Sequence, residues 1–176
     1  DYIEFCGILK NDDIEAFAQF IACAKTPLLN ETGASVEKVI LEHTIKHTSL
    51  RCLQYWLDQP KTLTIIDNNG KFTDDYKDIF KQIKQSHHSE IMNIFLSHIE
   101  NQWVKIINKK PDLINNIKIE LEYLLALNLN HSKLLQNFIE LGQKLNLTPL
   151  SHNISERIIH QISHSKYSTK PFGKKM

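Results

Sequence analysis

Histidine and cysteine are the residues in this chain whose spacing could do chemistry. His43 and His47 lie four apart, as do His160 and His164, so on a helix each pair shares one face. Two imidazoles at that spacing can grip a zinc ion, but a structural or catalytic centre needs a third or fourth ligand. No glutamate stands between His43 and His47, so the H-E-x-x-H arrangement of a metalloprotease is missing. With nine histidines in the chain, such pairs arise easily by chance, and no metal is expected. Cys52 near His47 invites a reading as a thiol beside its base. Cys52 falls in the apolar phase of its segment, where a thiol packs as a small hydrophobe and stays protonated. Nothing nearby supplies a third group to orient the imidazole. His87-His88 and His131 fall at polar breaks between apolar runs, where each is expected to bond the backbone of a neighbouring unit.

The other reactive patterns also resolve into structure. Asp12-Asp13 and Asp74-Asp75 precede helical runs, where capping and the helix dipole account for them. Gly70-Lys71-Phe72 lacks the upstream glycine and the Ser/Thr of a phosphate loop, and no G-x-G-x-x-G occurs. The glycosylation sequons at Asn30, Asn130, Asn146 and Asn153 need a secretory context that the sequence does not announce. Lys166, Lys170, Lys174 and Lys175 make a basic end segment with Tyr167 and Phe172, read as a solvated terminus because no second basic stripe leads up to it. No catalytic residue, metal or cofactor is therefore expected.

Composition narrows the elements that could position any site. Of 176 residues, 41% are hydrophobic and 23% charged, with a formal net charge of +1. A disordered chain and a polyanion-seeking one are both disfavoured. Five glycines and five prolines are few for an all-β chain full of tight turns. Three cysteines without paired spacing give no disulfide framework and suit a reducing compartment. No apolar run approaches the ~18–20 residues of a membrane span. The chain opens at Asp1 and is expected to be a piece of a longer protein.

The apolar spacing is helical throughout, and it recurs. The stretch Leu41–Asp58 contains two amphipathic runs, with Leu41, Thr44 and Ile45 on one and Leu50, Leu53, Trp56 and Leu57 on the other. A break at Lys46-His47-Thr48-Ser49 separates them, with Ser49 placed to cap the second run. Similar pairs are expected at about 2–24, 35–58, 75–107 and 117–142, with Gly142 ending the fourth and a terminal helix at 153–164. These form a single domain over 1–165, followed by a flexible basic tail over 166–176. Thr62–Asp67 reads as a short β-like run before the turn Asn68-Asn69-Gly70. The apolar position early in each second helix falls at Ala16, Cys52, Ile91 and Leu134, spaced by 36, 39 and 43 residues. That is repeat architecture.

At these residues the chain resembles ankyrin repeats. LEHTIKHTSLRCLQYWLD looks like that family's inner helix, turn and outer helix, and ALNLNHSKLLQNFIELG ends as such a unit does. ILKNDDIEAFAQFI and IFKQIKQSHHSEIMNIFLS fit the same frame, and Asp67–Gly70 resembles the inter-repeat finger. No unit keeps the family's Thr-Pro-Leu-His opening, and the glycine of the inter-helix turn is replaced by Asp12, Thr48, His87 and Asn130. The spacing also exceeds the ~33 residues of the standard repeat. The resemblance implies an all-α fold of stacked antiparallel helix pairs plus a C-terminal helix. Another αα-solenoid or an irregular helical bundle stays open beside it.

Stacked hairpins imply a non-catalytic module that binds a protein or peptide on an extended surface. Exposed positions of the first helices and of the finger loops would carry binding, which names Lys46, His47, Lys71, Gln85 and His87. Two other expectations stand beside it. One is an accessory helical domain of a larger enzyme or bacterial effector, by analogy alone. The other is a metal-dependent hydrolase using the histidines. No membrane span and no nucleic-acid partner are expected. The location follows as cytoplasmic, or the host cytosol for an effector.

Overall fold

The computed structural model of the chain describes residues 2–23, 36–59, 64–86 and 89–174; the side chains at 36, 86, 89 and from 164 onward fall outside that description. Among the described residues the fold is all-α, with no strand. Its helices are α1 (Tyr2–Lys10), α2 (Ile14–Ala22), α3 (Val36–Lys46), α4 (Leu50–Asp58), α5 (Asp74–Ser86), α6 (Ser89–Lys109), α7 (Ile114–Leu127), α8 (Ser132–Lys144) and α9 (His152–Lys174). A 3-10 turn at Pro111–Leu113 leads into α7. Two compact units divide the chain: Asp1–Asp67 with Phe72–Ile99, and Asn68–Lys71 with Glu100–Met176. The helix α6 gives its first part to one and its remainder to the other.

The first unit is built of helix pairs. α1 packs on α2 and α3 on α4. The first helices also touch in series, α1 against α3 and α3 against α5, while α2 lies against α4. The apolar face of each helix supplies the core: Phe5 and Leu9 from α1, Phe17 from α2, Leu41 and Ile45 from α3, and Leu53 and Trp56 from α4. Tyr76, Ile79 and Phe80 of α5 meet α6 through Phe95, whose ring centroid lies 5.9 Å from Tyr76 and 5.7 Å from Phe80.

The turns within the first two pairs are the same device. Asp12 (φ 47°) and Thr48 (φ 54°) both adopt the left-handed conformation. At the first turn the Asp13 amide donates to the Ile8 carbonyl and that of Asp12 to Leu9, both at 3.1 Å. At the second, the Ser49 amide donates to Thr44 at 2.9 Å and that of Thr48 to Ile45 at 3.0 Å. Each is a Schellman closure, which satisfies carbonyls left over at the helix end. At both positions the backbone has a shape that glycine adopts more readily than other residues.

The capping differs from the sequence reading. Ser49 does stand at the N-cap of α4, but its hydroxyl makes no cap bond and donates instead to the Leu9 carbonyl of α1. The amides at the start of α4 are taken by Asp12 of the previous pair, Arg51 N at 3.0 Å and Cys52 N at 2.9 Å. Asp13 caps α2, accepting from Ala16 N at 3.2 Å. The β-like run before the Asn68–Gly70 turn shrinks to one antiparallel bridge, Ile66 with Phe72, with residues 62 and 63 outside the described set.

The second unit centres on α7, which packs on α8, α9 and the 3-10 turn. Ile117, Leu121, Leu124 and Leu125 bury one flank of α7, Leu134, Leu135 and Phe138 that of α8, and Ile154 and Ile158 that of α9. Trp103 of α6 is fully buried in this unit. Gly142 does not end α8; the helix runs to Lys144 and closes on Asn146 (φ 59°), with Leu147 N donating to the Gly142 carbonyl at 2.8 Å. The glycine is used for close packing, since a Cβ there would sit 2.7 Å from Leu121 Cδ2. Glu122 of α7 accepts from both the amide and the hydroxyl of Ser151 at the start of α9, at 2.8 and 2.7 Å. Helix α9 continues to Lys174, so the segment read as a tail from Lys166 has helical backbone over most of its length.

Candidate functional site

The reactive-looking residues of the first unit gather around His43. Its Nδ1 lies 2.8 Å from the Val39 carbonyl, one turn back. A carbonyl only accepts, so Nδ1 carries the proton and Nε2 is left to accept from the Tyr2 hydroxyl at 3.1 Å. The Tyr2 ring meets the imidazole edge-on at 5.4 Å, and Phe5 packs at 5.8 Å. Cys6 beside Tyr2 raises the pKa of that hydroxyl. Both nitrogens of His43 thus have partners, one within α3 and one on α1. Among the described residues, no three His, Cys, Asp or Glu side chains come close enough to share a metal ion.

Cys52 is fully buried. Burial pushes its thiol up to about 12, with Asp12 adding to the shift. A thiol protonated across the physiological range is a packing group. Asp12 itself is committed to the α4 amides. His131 caps its own helix, accepting from Leu134 N at 3.3 Å through Nδ1, and its ring makes no bond to backbone of another pair among the described residues.

The five expected binding residues fall in different places. Lys46 ends α3 and is exposed, and His47 follows it in the turn, half-buried. Burial lowers the His47 pKa first, and Lys46, His43 and Lys10 lower it further. The buried Nε2 of His47 has no hydrogen-bond partner among the described residues. Gln85 is exposed in the last turn of α5, the next first helix in the series. Lys71 is exposed in the Asn68–Lys71 segment that belongs to the second unit. That segment is held by Asn116, whose amide donates to the Asn69 carbonyl at 3.0 Å, and by Gly70 lying against Ile117. His87 lies outside the described residues.

Arg51, which was not among the expected residues, is exposed in the first turn of α4, just after the turn that carries His47. No family model, curated protein or solved structure matches the chain.

Proposed function

We propose that the chain is a protein-interaction module built from degenerate ankyrin-like helix pairs, with no chemistry of its own. The observation that carries this reading is the recurrence of one unit. Two successive pairs share the same left-handed turn 36 residues apart, at Asp12 and Thr48. Their first helices touch one another and so do their second helices. Hydrogen bonds from Ser49 to Leu9 and from the α4 amides to Asp12 join them in register. A unit that repeats its fold but varies its exposed residues presents a surface, and repeat surfaces serve binding. The hydrogen bonds of His43 and the burial of Cys52 support the same side.

Binding is assigned to the exposed ends of the first helices and the turns after them, at Lys46, His47 and Gln85, with Lys71 on the loop of the other unit. Affinity capture with the whole chain as bait tests this. A specific partner is expected with the native sequence and is expected to be lost with Lys46→Glu and Gln85→Glu while the circular dichroism stays unchanged. Failure to retain any reproducible partner would overturn the reading.

A further inference from the structure

Within the first unit, Lys38 on α3 is ion-paired, whereas the cations at the turn edge are not. Lys38 Nζ lies 2.9 Å from Asp78 and 3.7 Å from Asp75. Lys10, Lys46, Arg51 and Lys84 are all exposed, and none has an ion-pair partner among the described residues. The carboxylates beside them in the chain are already committed, Asp12 to the α4 amides and Asp13 to Ala16 N. The same bonds, with Ser49 to Leu9, hold the Lys10 turn against the Lys46–Arg51 turn. Packing of α3 on α5 brings Lys84 in next. A lysine in the last turn of a helix is favoured by the macrodipole, so Lys10, Lys46 and Lys84 could rest there for stability alone. Arg51 differs: it stands in the first turn of α4, where the macrodipole opposes a cation and only the Asp12 carboxylate on its amide offsets that.

We propose that this turn edge (Lys10, Lys46, Arg51 and Lys84) docks an extended acidic segment of a partner protein. The inference rests on the interaction-module reading and names the partner chemistry. Packed helices stand about 8–10 Å apart, and a chain in the extended polyproline-II conformation advances about 3.1 Å per residue with three residues per turn, so every third side chain faces the same way. A carboxylate at every third residue therefore meets one helix pair after another. Glu15 and Glu90 are exposed at the starts of the second helices on this edge, so the cations are separate points with acids between them. That pattern fits spaced carboxylates better than the continuous charge of a nucleic-acid strand, which proteins follow with an unbroken basic groove and stacked aromatics.

The probe is a fluorescent peptide of about twelve residues with Glu at every third position and Gly or Ser between, titrated into the full chain by polarisation. Comparators are the same peptide with Gln for Glu and an oligothymidylate of similar length. The Glu peptide is expected to bind, more weakly as salt rises. The double variant Lys46→Glu/Arg51→Glu is expected to weaken it about ten-fold, and Lys105→Glu on the second unit to leave it unchanged. Should charge reversal disturb the fold, Lys46→Gln/Arg51→Gln gives the same reading with a smaller loss. The proposal is overturned by equal binding of the Gln peptide, by equal or tighter binding of the oligothymidylate, or by indifference to both double variants. Captured partners that persist while the Glu peptide fails would sink acidic docking alone; an absence of captured partners would sink the module reading itself.

Discussion

At Thr48 the local chemistry and the fold disagree. Its φ of 54° is left-handed, and a β-branched residue pays about 1–2 kcal/mol there that glycine does not. Asp12 in the preceding pair takes the same conformation with a residue type that tolerates it better. Thr48→Gly is therefore expected to raise stability by roughly 0.5–1 kcal/mol, after glycine's extra unfolded-state freedom is subtracted. Chemical denaturation would measure it, and a loss of stability would show that the threonine is held by contacts worth more than the strain. His47, next in the chain, sets a pH dependence. Burial, then Lys46, His43 and Lys10, hold its pKa below the ordinary value. As pH falls through about 6.5 the unfolded chain takes up the proton before the folded one, so stability drops on the acid side. The slope of stability against pH between about 5 and 7 is expected to flatten in His47→Gln; an unchanged slope would mean the imidazole titrates freely in the fold.

Among the elements, the helices were legible and their junctions were not. Apolar spacing marked both runs of Leu41–Asp58 because each buries one stripe, and Leu41, Ile45, Leu53 and Trp56 are indeed core. The turn after α3 could be placed from its polar break. Who caps α4 could not, because the acceptor is Asp12, a residue 39 positions earlier than Arg51 that reads locally as the cap of its own hairpin. Gly142 misled for a related reason. As a sequence signal it ends a helix, whereas here its missing side chain makes room for Leu121 from another helix. Of the residues expected to bind, Lys46 and Gln85 are exposed near helix ends as their spacing suggested, whereas including Arg51 in the proposed docking edge depends on the turn geometry, which the sequence does not display. Capping across pairs has an energetic consequence. Asp12→Ala removes the acceptor for two amides and puts alanine in a left-handed turn, which should cost about 2–3 kcal/mol. Asp12→Asn keeps one acceptor oxygen and the tolerance for positive φ, so it is expected to lose less than half as much. Equal losses in thermal melts of the two variants would argue that the carboxylate charge, and not the capping geometry, joins the pairs.

At the scale of the whole molecule, each unit has a core of its own. Phe17 is fully buried against Phe5 and Tyr55, with ring centroids 6.4 and 6.0 Å away, all in the first unit. Phe138 is fully buried in the second. Where each unit has a core of its own, opening is local and damage is felt most in the unit where it is made. Truncating either phenylalanine should cost about 3–5 kcal/mol through lost burial and the cavity left behind. Phe17→Ala is thus expected to strip hydrogen-exchange protection from α1 to α4 while amides of α7 and α8 keep most of theirs. Phe138→Ala should do the reverse. Helix α6 supplies residues to both units, so its amides should lose protection in either variant, earlier at the end belonging to the damaged unit. Uniform loss across the chain in both variants would mean that α6 couples the two cores into one cooperative block. The local pattern would instead leave the turn edge of Lys10, Lys46 and Arg51 intact in Phe138→Ala, so that variant should still bind the acidic peptide when its second unit is loosened.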